Sequence, residues 1–478
     1  MVNFQILSHA GLLIEHNDKQ IICDPWLIGS CYWRSWWNFP EPPSELFDNL
    51  KPDYIYLTHL HWDHFHGSSL KKFFDSDINI LVPKVPTRRM IEDLNWLGFY
   101  NITEIKHGSE FQLGEDFILH SYQFGLGVDS AVVLSGGGHT LLNCNDCKFF
   151  GLPLKQIIKQ FPKIDFVLRS HSSATPIPYC IEGYETNFSN LRQSQDYIEE
   201  FSRFALFIRA RFAIPFASNH CFLHSETFHF NKTAVLAEDI LPRYQQLAFD
   251  NKIKSECVVM APGSSWSDIN GFQIISFDYL NKNKYLEDLL VLHGDKLTEQ
   301  YNKEAQILAD FGAFSKYFEG FLRAIPWLVR KLLKLRFVFH TSDRKGQHYW
   351  IVDATNLKIN VVAELSHDYV VIDTPALVLN DCCKLRMFST WTASKRLKIH
   401  LPSPKHLKLV ITLFLLLDFY ELEMLPLRKN FTLRSIGIRL RRWREMVEAI
   451  NLFILHRLFK RPFVLTNLYN LSKKIKTY

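Results

Sequence analysis

Residues 58–67 read THLHWDHFHG, four histidines and an aspartate in ten positions, directly after the apolar run YIYL at 54–57. His59, His61, Asp63 and His64 give the spacing H-x-H-x-D-H. Imidazole and carboxylate are ligands that hard-to-borderline divalent metals accept, and alternating residues at a strand end point the same way. His59 and His61 can therefore share one ion. Asp63 and His64 can serve a second a few ångströms off, because the chain turns into a helix there. Two ions about 3.5–4 Å apart bridge a water, lower its pKa and clamp the entering and leaving oxygens of a hydrolytic step. A structural zinc site would instead call for cysteine-rich, closed ligation. The bland alternative is a run of surface histidines.

That chemistry needs elements to deliver it. Residues 3–27 alternate in strand fashion, break at the turn formers Asn17 and Asp18, and resume before Asp24 and Pro25. This predicts a β-hairpin whose second strand brings Asp24 to a sheet edge. Helices are expected at 67–76, 87–98 and 189–210, strands at 78–84, 164–173 and 212–224, and a glycine-closed hairpin over 130–147. Strands alternating with helices and hairpins point to a layered α/β domain. Residues 279–318 are charged and helix-like, and 321–337 predict a basic amphipathic helix. Strand-like stretches at 349–354, 358–364 and 369–375 follow, then a helical tail. The expected division is residues 1–275, a helical linker 276–320, a smaller α/β domain 321–403 and a basic helical tail 404–478.

A chain of 478 residues, 47% apolar and 22% charged, is globular in composition and too long for one ordinary core. Residues 401–478 hold 15 basic and 5 acidic side chains, leaving the remainder with 40 basic and 44 acidic. An acidic body without aromatic–basic interleaving argues against nucleic acid as a partner. The cationic tail leaves a peripheral membrane contact open. The apolar run 409–417 is shorter than the ~20 residues that span a bilayer, so no transmembrane helix is expected. Nine scattered cysteines and no secretory-type start point to a reducing, cytoplasmic setting.

THLHWDH after a strand, with Asp24 in ICDPW before it and Asp146 in LLNCNDC after it, resembles the metallo-β-lactamase fold superfamily over roughly residues 1–275. The resemblance implies an αββα sandwich with a dinuclear metal site at one edge of its sheets. By it, His59 and His61 bind the first metal, Asp63 and His64 the second, and Asp146 bridges. It also implies that Asp63 orients or deprotonates a metal-bridging water. Asp146 lies within Cys144-x-x-Cys147, which alone could be read as a redox pair. The superfamily usually adds a histidine between the main motif and the bridging aspartate, and another near the domain's end. His66, His107, His120 and His139 are the candidates for the former. His107 and His139 sit beside glycine turns and are expected to face solvent, and Asp129 could stand in as an oxygen ligand. His220 is preferred for the latter, with His171 and His224 next.

SHAGLLIE, the aromatic loop CDPWLIGSCYWRSWWNFPEPP, LLNCNDC, PFAS and MAPGSSW together resemble one branch, the CMP-N-acetylneuraminate hydroxylase family. That family implies an amino-sugar nucleotide substrate and a Rieske iron–sulfur domain. A Rieske centre needs two Cys and two His, and no Cys-x-His followed downstream by Cys-x-x-His occurs in these 478 residues. Ser264 also stands where an acidic residue is expected. Trp33, Trp36 and Trp37 either rim the metal cleft, with Arg34 as a phosphate contact, or pack on the second domain. Lys395, Arg396 and Lys398 read as a solvated edge strand or as a contact for nucleotide phosphate.

The expected function is a metal-dependent enzyme, a hydrolase or a partner-dependent oxygenase, acting on a sugar nucleotide or phosphorylated sugar. Its cofactors are two divalent ions, zinc or iron, and a separate electron-transfer protein is the expected partner for oxygenation. The alternatives are a lipid-directed phosphodiesterase and a non-catalytic module with a vestigial metal site.

Overall fold

Strand Val2–Ile6 buries every second side chain, as does Leu12–His16 beside it. That alternation is the signature of strands with one face on a core. In the computed structural model, which describes residues 2–125, 129–172, 174–183, 191, 193–362 and 368–459, these strands open an eight-stranded sheet. The hairpin turn at Asn17 lies in the left-handed region, and Lys19–Cys23 returns antiparallel to Leu12–His16. From Lys19–Cys23 the sheet continues in parallel through Tyr54–Tyr56, Asn79–Pro83 and Ile102–Ile105.

A second sheet of seven strands runs from Glu256–Cys257 through Phe212–Pro215, Phe166–Arg169, His139–Asn145, Asp129–Gly136 and Phe117–Phe124 to Ser109–Gly114. Phe4, Ile14, Ile21, Leu119, Leu134, Phe166 and Ile214 from the two sheets form one core. The opposite faces are also covered. Leu142, Val167 and Ala213 meet helices Gly151–Gln160, Ser194–Ile208 and Ile240–Asp250. Ile55, Leu57 and Ile80 meet helices Gly67–Phe73 and Arg89–Leu97. Strands buried on both faces read as continuous apolar runs, which is why YIYL and FVLR lack alternation. The layers are helix, sheet, sheet, helix, the expected αββα sandwich. The helix expected over 189–210 spans Ser194–Ile208, and residues 189, 190 and 192 of that reading lie outside the described residues.

A third sheet orders Ile181–Glu182, Lys398–His400, Val370–Asp373, Arg336–Asp343, Gly346–Asp353 and Lys358–Val362. Its first strand comes from the connection between Phe166–Arg169 and Phe212–Pro215 of the second sheet, so the two halves of the chain are stitched together. Its core of Phe314, Phe318, Phe339, Trp350 and Trp391 extends without a break into Trp26, Tyr32, Trp33 and Trp36 of the aromatic loop. One expectation is corrected here. Residues 321–337 are not one helix: Phe311–Ala324 ends, Trp327–Leu333 restarts as a short helix, and Arg336–Asp343 is already strand. Pro326 has no N–H to donate and crowds the preceding turn.

The tail is helical at Leu407–Glu421, Leu433–Arg441 and Trp443–Phe459. Two of its charged side chains are engaged by the sandwich. Arg434 donates to the carbonyls of Val85 and Pro86 and pairs with Glu104, and Glu448 accepts from the Leu152 N–H at 3.2 Å. Among the described residues no helix is long and apolar enough to cross a membrane. All nine cysteines are free.

Candidate metal centre

The histidine segment hangs between two fixed points. The Leu57 N–H donates to Leu81 O, extending the strand pairing. His66 caps helix Gly67–Phe73, its Nδ1 accepting from the Ser69 N–H at 3.2 Å. That role occupies His66, and burial pushes its imidazole down to about 4. Between these points His59 is fully buried and His61 is half-buried, with His59 Nε2 2.9 Å from His61 Nδ1.

Asp24 follows strand Lys19–Cys23 in the left-handed region, φ 46°, a conformation that aspartate tolerates better than bulky or branched residues do. Its Oδ1 accepts from the Thr58 N–H at 2.8 Å, and its Oδ2 from the Thr58 hydroxyl at 2.7 Å. Oδ2 also lies 2.7 Å from His64 Nδ1, which frees Nε2 to face inward. A carboxylate behind an imidazole fixes its tautomer and aim, the usual support of a ligating histidine.

Asp146 is delivered by an irregularity. Strand His139–Asn145 shifts register after Asn143, and Asn145 turns left-handed at φ 39° with its Nδ2 donating to Ser130 O. Bulges of this kind re-aim side chains at sheet edges. Asp146 Oδ2 stands 3.4 Å from His64 Nε2, and His64 Nε2 is also 3.4 Å from Asp63 Oδ2. His64 Nε2 is buried and makes no hydrogen bond.

His9 was not singled out from the sequence. It sits in the bend between the first two strands, where its N–H donates to Asn38 Oδ1 at 2.9 Å and its carbonyl accepts from Ala217. Its Nε2 lies 3.1 Å from Asp63 Oδ2. The only available signal was a histidine shortly after the first strand, in SHAG.

The donor atoms fall into two groups, each within 4.8 Å: His59, His61 and Asp146, and His9, Asp63 and His64. Five of the expected residues converge, with His9 added. His220 lies outside both groups. Its ring stacks on Trp36 at 3.5 Å and 4° and is 5.5 Å from the His9 ring.

The electrostatics divide the same way. Burial, reinforced by His64 and His61, holds His59 well below the usual imidazole range, and burial lowers His61 too. Burial would also lower His64, but the carboxylates of Asp63 and Asp24 outweigh it and hold His64 well above that range. For Asp63, burial is opposed and overcome by the charge and hydrogen bond of His64 and by His9, so the carboxyl stays ionised. Loss of solvent and the charge of Asp146 push Asp129 up to about 7. Neutral imidazoles at His59 and His61, ionised carboxylates, and a buried His64 Nε2 whose proton a cation would displace form a donor set that fits a pair of divalent ions.

The aromatic loop closes one wall. Tyr32, Trp33 and Arg34 are consecutively left-handed, at φ 57°, 53° and 60°, a geometry that costs about 1–2 kcal/mol per residue. Buried contacts hold it. The Tyr32 hydroxyl donates to Asp63 Oδ1, and Trp33 Nε1 donates to Asp381 Oδ2 at 2.8 Å. Trp33 and Trp36 thus pack on the third sheet's core while Trp36 backs His220. Arg34 pairs with Glu299 rather than facing the centre.

The remaining expectations resolve by position. His107 is buried, not solvent-facing, because its Nδ1 accepts from the Gln123 N–H. His139 is half-buried against Trp266 rather than open to solvent. His120 faces Glu110 and Phe161, and His224 faces Glu304 and Tyr301. His171 is buried with its ring pushed down to about 3 by burial. Ser264 is structural, its hydroxyl accepting from the Ile275 N–H. Cys144 and Cys147 lie in the helix-side core, where burial pushes Cys144 up to about 12 and Cys147 well above its ordinary range. Protonated buried thiols are inert.

Residues 3–151 match the family model described as the beta-lactamase superfamily domain. A Mycobacterium tuberculosis protein provisionally named a Rieske 2Fe-2S iron–sulfur protein is 28% identical over 280 residues, covering 55% of this chain and 53% of that one. Cytidine monophosphate-N-acetylneuraminic acid hydroxylase of Mus musculus is 31% identical over 152 residues, 30% of this chain and 26% of that one. The chain spans about half the length of the mycobacterial relatives and less of the hydroxylases. Among solved structures, CmlA, a diiron β-hydroxylase from Streptomyces venezuelae, aligns at 13% identity and a TM-score of 0.37 over 54% of this chain and 53% of that one.

Proposed function

With a metallo-β-lactamase fold as premise, we propose that this chain is a metal-dependent enzyme acting on an amino-sugar nucleotide or phosphorylated sugar through a dinuclear centre. The observation that carries this reading is the convergence of two donor groups, His59, His61 and Asp146 on one side and His9, Asp63 and His64 on the other. Divalent ions held by these residues would supply Lewis acidity and lower the pKa of a bound water. The chain's own contribution is positional. Asp24 and Thr58 fix the face of His64, Asn145 aims Asp146, His64 and His9 hold Asp63 ionised, and the Tyr32 hydroxyl orients it. In this reading Asp63 is the residue that orients the reacting water.

Of the two chemistries, similarity to CMP-N-acetylneuraminic acid hydroxylase supports oxygenation over hydrolysis. With no Cys-x-His followed by Cys-x-x-His in these residues, electrons would then come from an electron-transfer unit outside them.

The test is elemental analysis of protein purified without chelator, followed by turnover assays with CMP-N-acetylneuraminic acid. About two irons per chain and reductant-dependent oxygen consumption support oxygenation. About two zincs and water-only turnover replace it with hydrolysis. Metal-free protein with no turnover after reconstitution removes the enzyme reading in favour of a vestigial site.

A further inference from the structure

A cavity of ≈ 840 Å³ opens at the ends of strands Arg336–Asp343 and Val370–Asp373 and against the loop 178–182. None of the six metal donors lines it. A crevice of ≈ 10 Å³ lined in part by His220 shares Tyr179, Thr233 and Lys395 with it. The cavity's volume is that of a small-molecule site.

The wall is built of polar groups that the protein leaves unsatisfied. Thr341 and Thr374, 2% and 3% exposed, each carry a buried hydroxyl with no hydrogen-bond partner, and so does His340 Nε2. Buried polar groups ordinarily find partners, because each one left unpaired costs free energy. Asp373 holds the other side of the His340 ring, at 2.6 Å from Nδ1, which fixes Nε2 in place.

Of the three lysine and arginine side chains in this wall, two are paired with carboxylates. Arg396 pairs with Glu226 and Glu304, and Lys398 pairs with Glu182. Asp373 is shared by His340 and His400. Lys395, 5% exposed, pairs with no carboxylate among the described residues. Its ammonium is held over the rings of Tyr179, Phe222 and Phe230 at 4.7, 4.9 and 5.2 Å. Rings favour a cation there but do not neutralise it.

Strand Val370–Asp373 runs parallel to Arg336–Asp343 and passes through Thr374 and Pro375 into helix Ala376–Leu385. Thr374, Pro375 and Ala376 all line the cavity, and no side chain caps that helix start. Open N–H groups at a helix N-terminus and its positive dipole end attract anions. The crevice beyond the carboxyl ends of parallel strands is where open α/β sheets bind ligands.

We propose that this cavity is a second ligand site, which takes the phosphate or carboxylate group of a small metabolite between Lys395, Thr374 and the start of helix Ala376–Leu385. The site is independent of the metal centre and stands whether or not the proposed reaction does.

The test is saturation-transfer NMR on the full chain with methyl phosphate, acetate and, as the uncharged control, methanol. Saturable signal from either anion and none from methanol is expected, with affinity at least tenfold weaker in Lys395→Met and severalfold weaker in Thr374→Val. Methyl phosphate alone saturating identifies a phosphate ester, and acetate alone a carboxylate. His61→Ala should bind as the unmodified chain does, which separates this site from the metal centre. Equal anion binding in Lys395→Met, or no saturable binding by either anion, overturns the proposal. Thr374→Val decides the matter if Lys395→Met does not fold.

Discussion

Asp24 Oδ2 stands 2.7 Å from His64 Nδ1 while the same carboxylate holds the Thr58 N–H and hydroxyl. One buried aspartate thus sets both the path of the histidine loop and the aim of one imidazole. Asp24→Asn keeps the left-handed backbone accessible, since asparagine also tolerates it. It exchanges the charged acceptor behind His64 for an amide. Metal affinity should fall 10- to 100-fold with the fold retained, read by chelator competition alongside circular dichroism. Unchanged affinity would mean that Asp24 only shapes the loop.

The two donor groups predict separable losses of metal. His61→Ala removes a donor from the His59 and Asp146 group, and His9→Ala one from the Asp63 and His64 group. Each variant should retain about one ion per chain, by plasma emission analysis after gel filtration, where the unmodified protein holds about two. His9→Ala retaining both ions would return His9 to a purely structural role.

Much of this centre was legible because H-x-H-x-D-H is local: strand alternation and one turn bring His59, His61, Asp63 and His64 together whatever the rest of the chain does. Asp146 was legible through the family resemblance that LLNCNDC carries. His9 was not, because its approach to Asp63 depends on the bend before Leu12 and on Asn38, contributed by a different sheet. Lys395, Arg396 and Lys398 were misread for the same reason. Polar spacing suggested a solvated edge, yet Lys398–His400 is flanked on both sides by strands, and Lys395 and Arg396 are buried. The break at Pro326 was visible in the sequence, but the amphipathic pattern across it was weighted more heavily than the missing N–H.

Tyr32 donates its hydroxyl to Asp63 from a strained turn. In Tyr32→Phe the ring can still pack, but a buried ionised carboxylate loses a donor. The expected cost is about 1–3 kcal/mol of stability, measured by urea unfolding, with Asp63 less well held. A variant as stable as the unmodified chain and equally active would show that His9 and His64 suffice for Asp63.

Arg396 ties three segments, donating to Trp33 O at 3.1 Å and pairing with Glu304 at 2.8 Å and Glu226 at 2.7 Å. Burial would raise the Glu304 carboxyl, but hydrogen bonds from His224 and Arg396 hold it down, at about 2. Arg396→Met strands Glu304, on helix Gly294–Gln306, and should cost about 3–5 kcal/mol. Arg396→Lys should recover little, because an ammonium cannot reproduce the planar fork that reaches both carboxylates. Full recovery by lysine would reduce the contact to simple charge balance.

Asp373 accepts from His340 and His400, each at 2.6 Å. Desolvation would raise its carboxyl, but the two hydrogen bonds prevail and hold it well below the usual range. A carboxylate lowered by folding stabilises above its unfolded value of ~3.9 and loses that contribution as the pH falls. His400 is raised, first by its hydrogen bond to Asp373. That contribution is complete below the unfolded imidazole value of ~6.5 and fades as the pH climbs through the raised one. The couple therefore acts most strongly between these two limits. The gap in Tm between the unmodified chain and Asp373→Asn should be widest near pH 5.5, as an estimate from those limits, and should narrow in more acidic and more alkaline buffers. A gap independent of pH would assign the loss to packing at the end of strand Val370–Asp373 instead of to the charge that fixes His340 against the cavity.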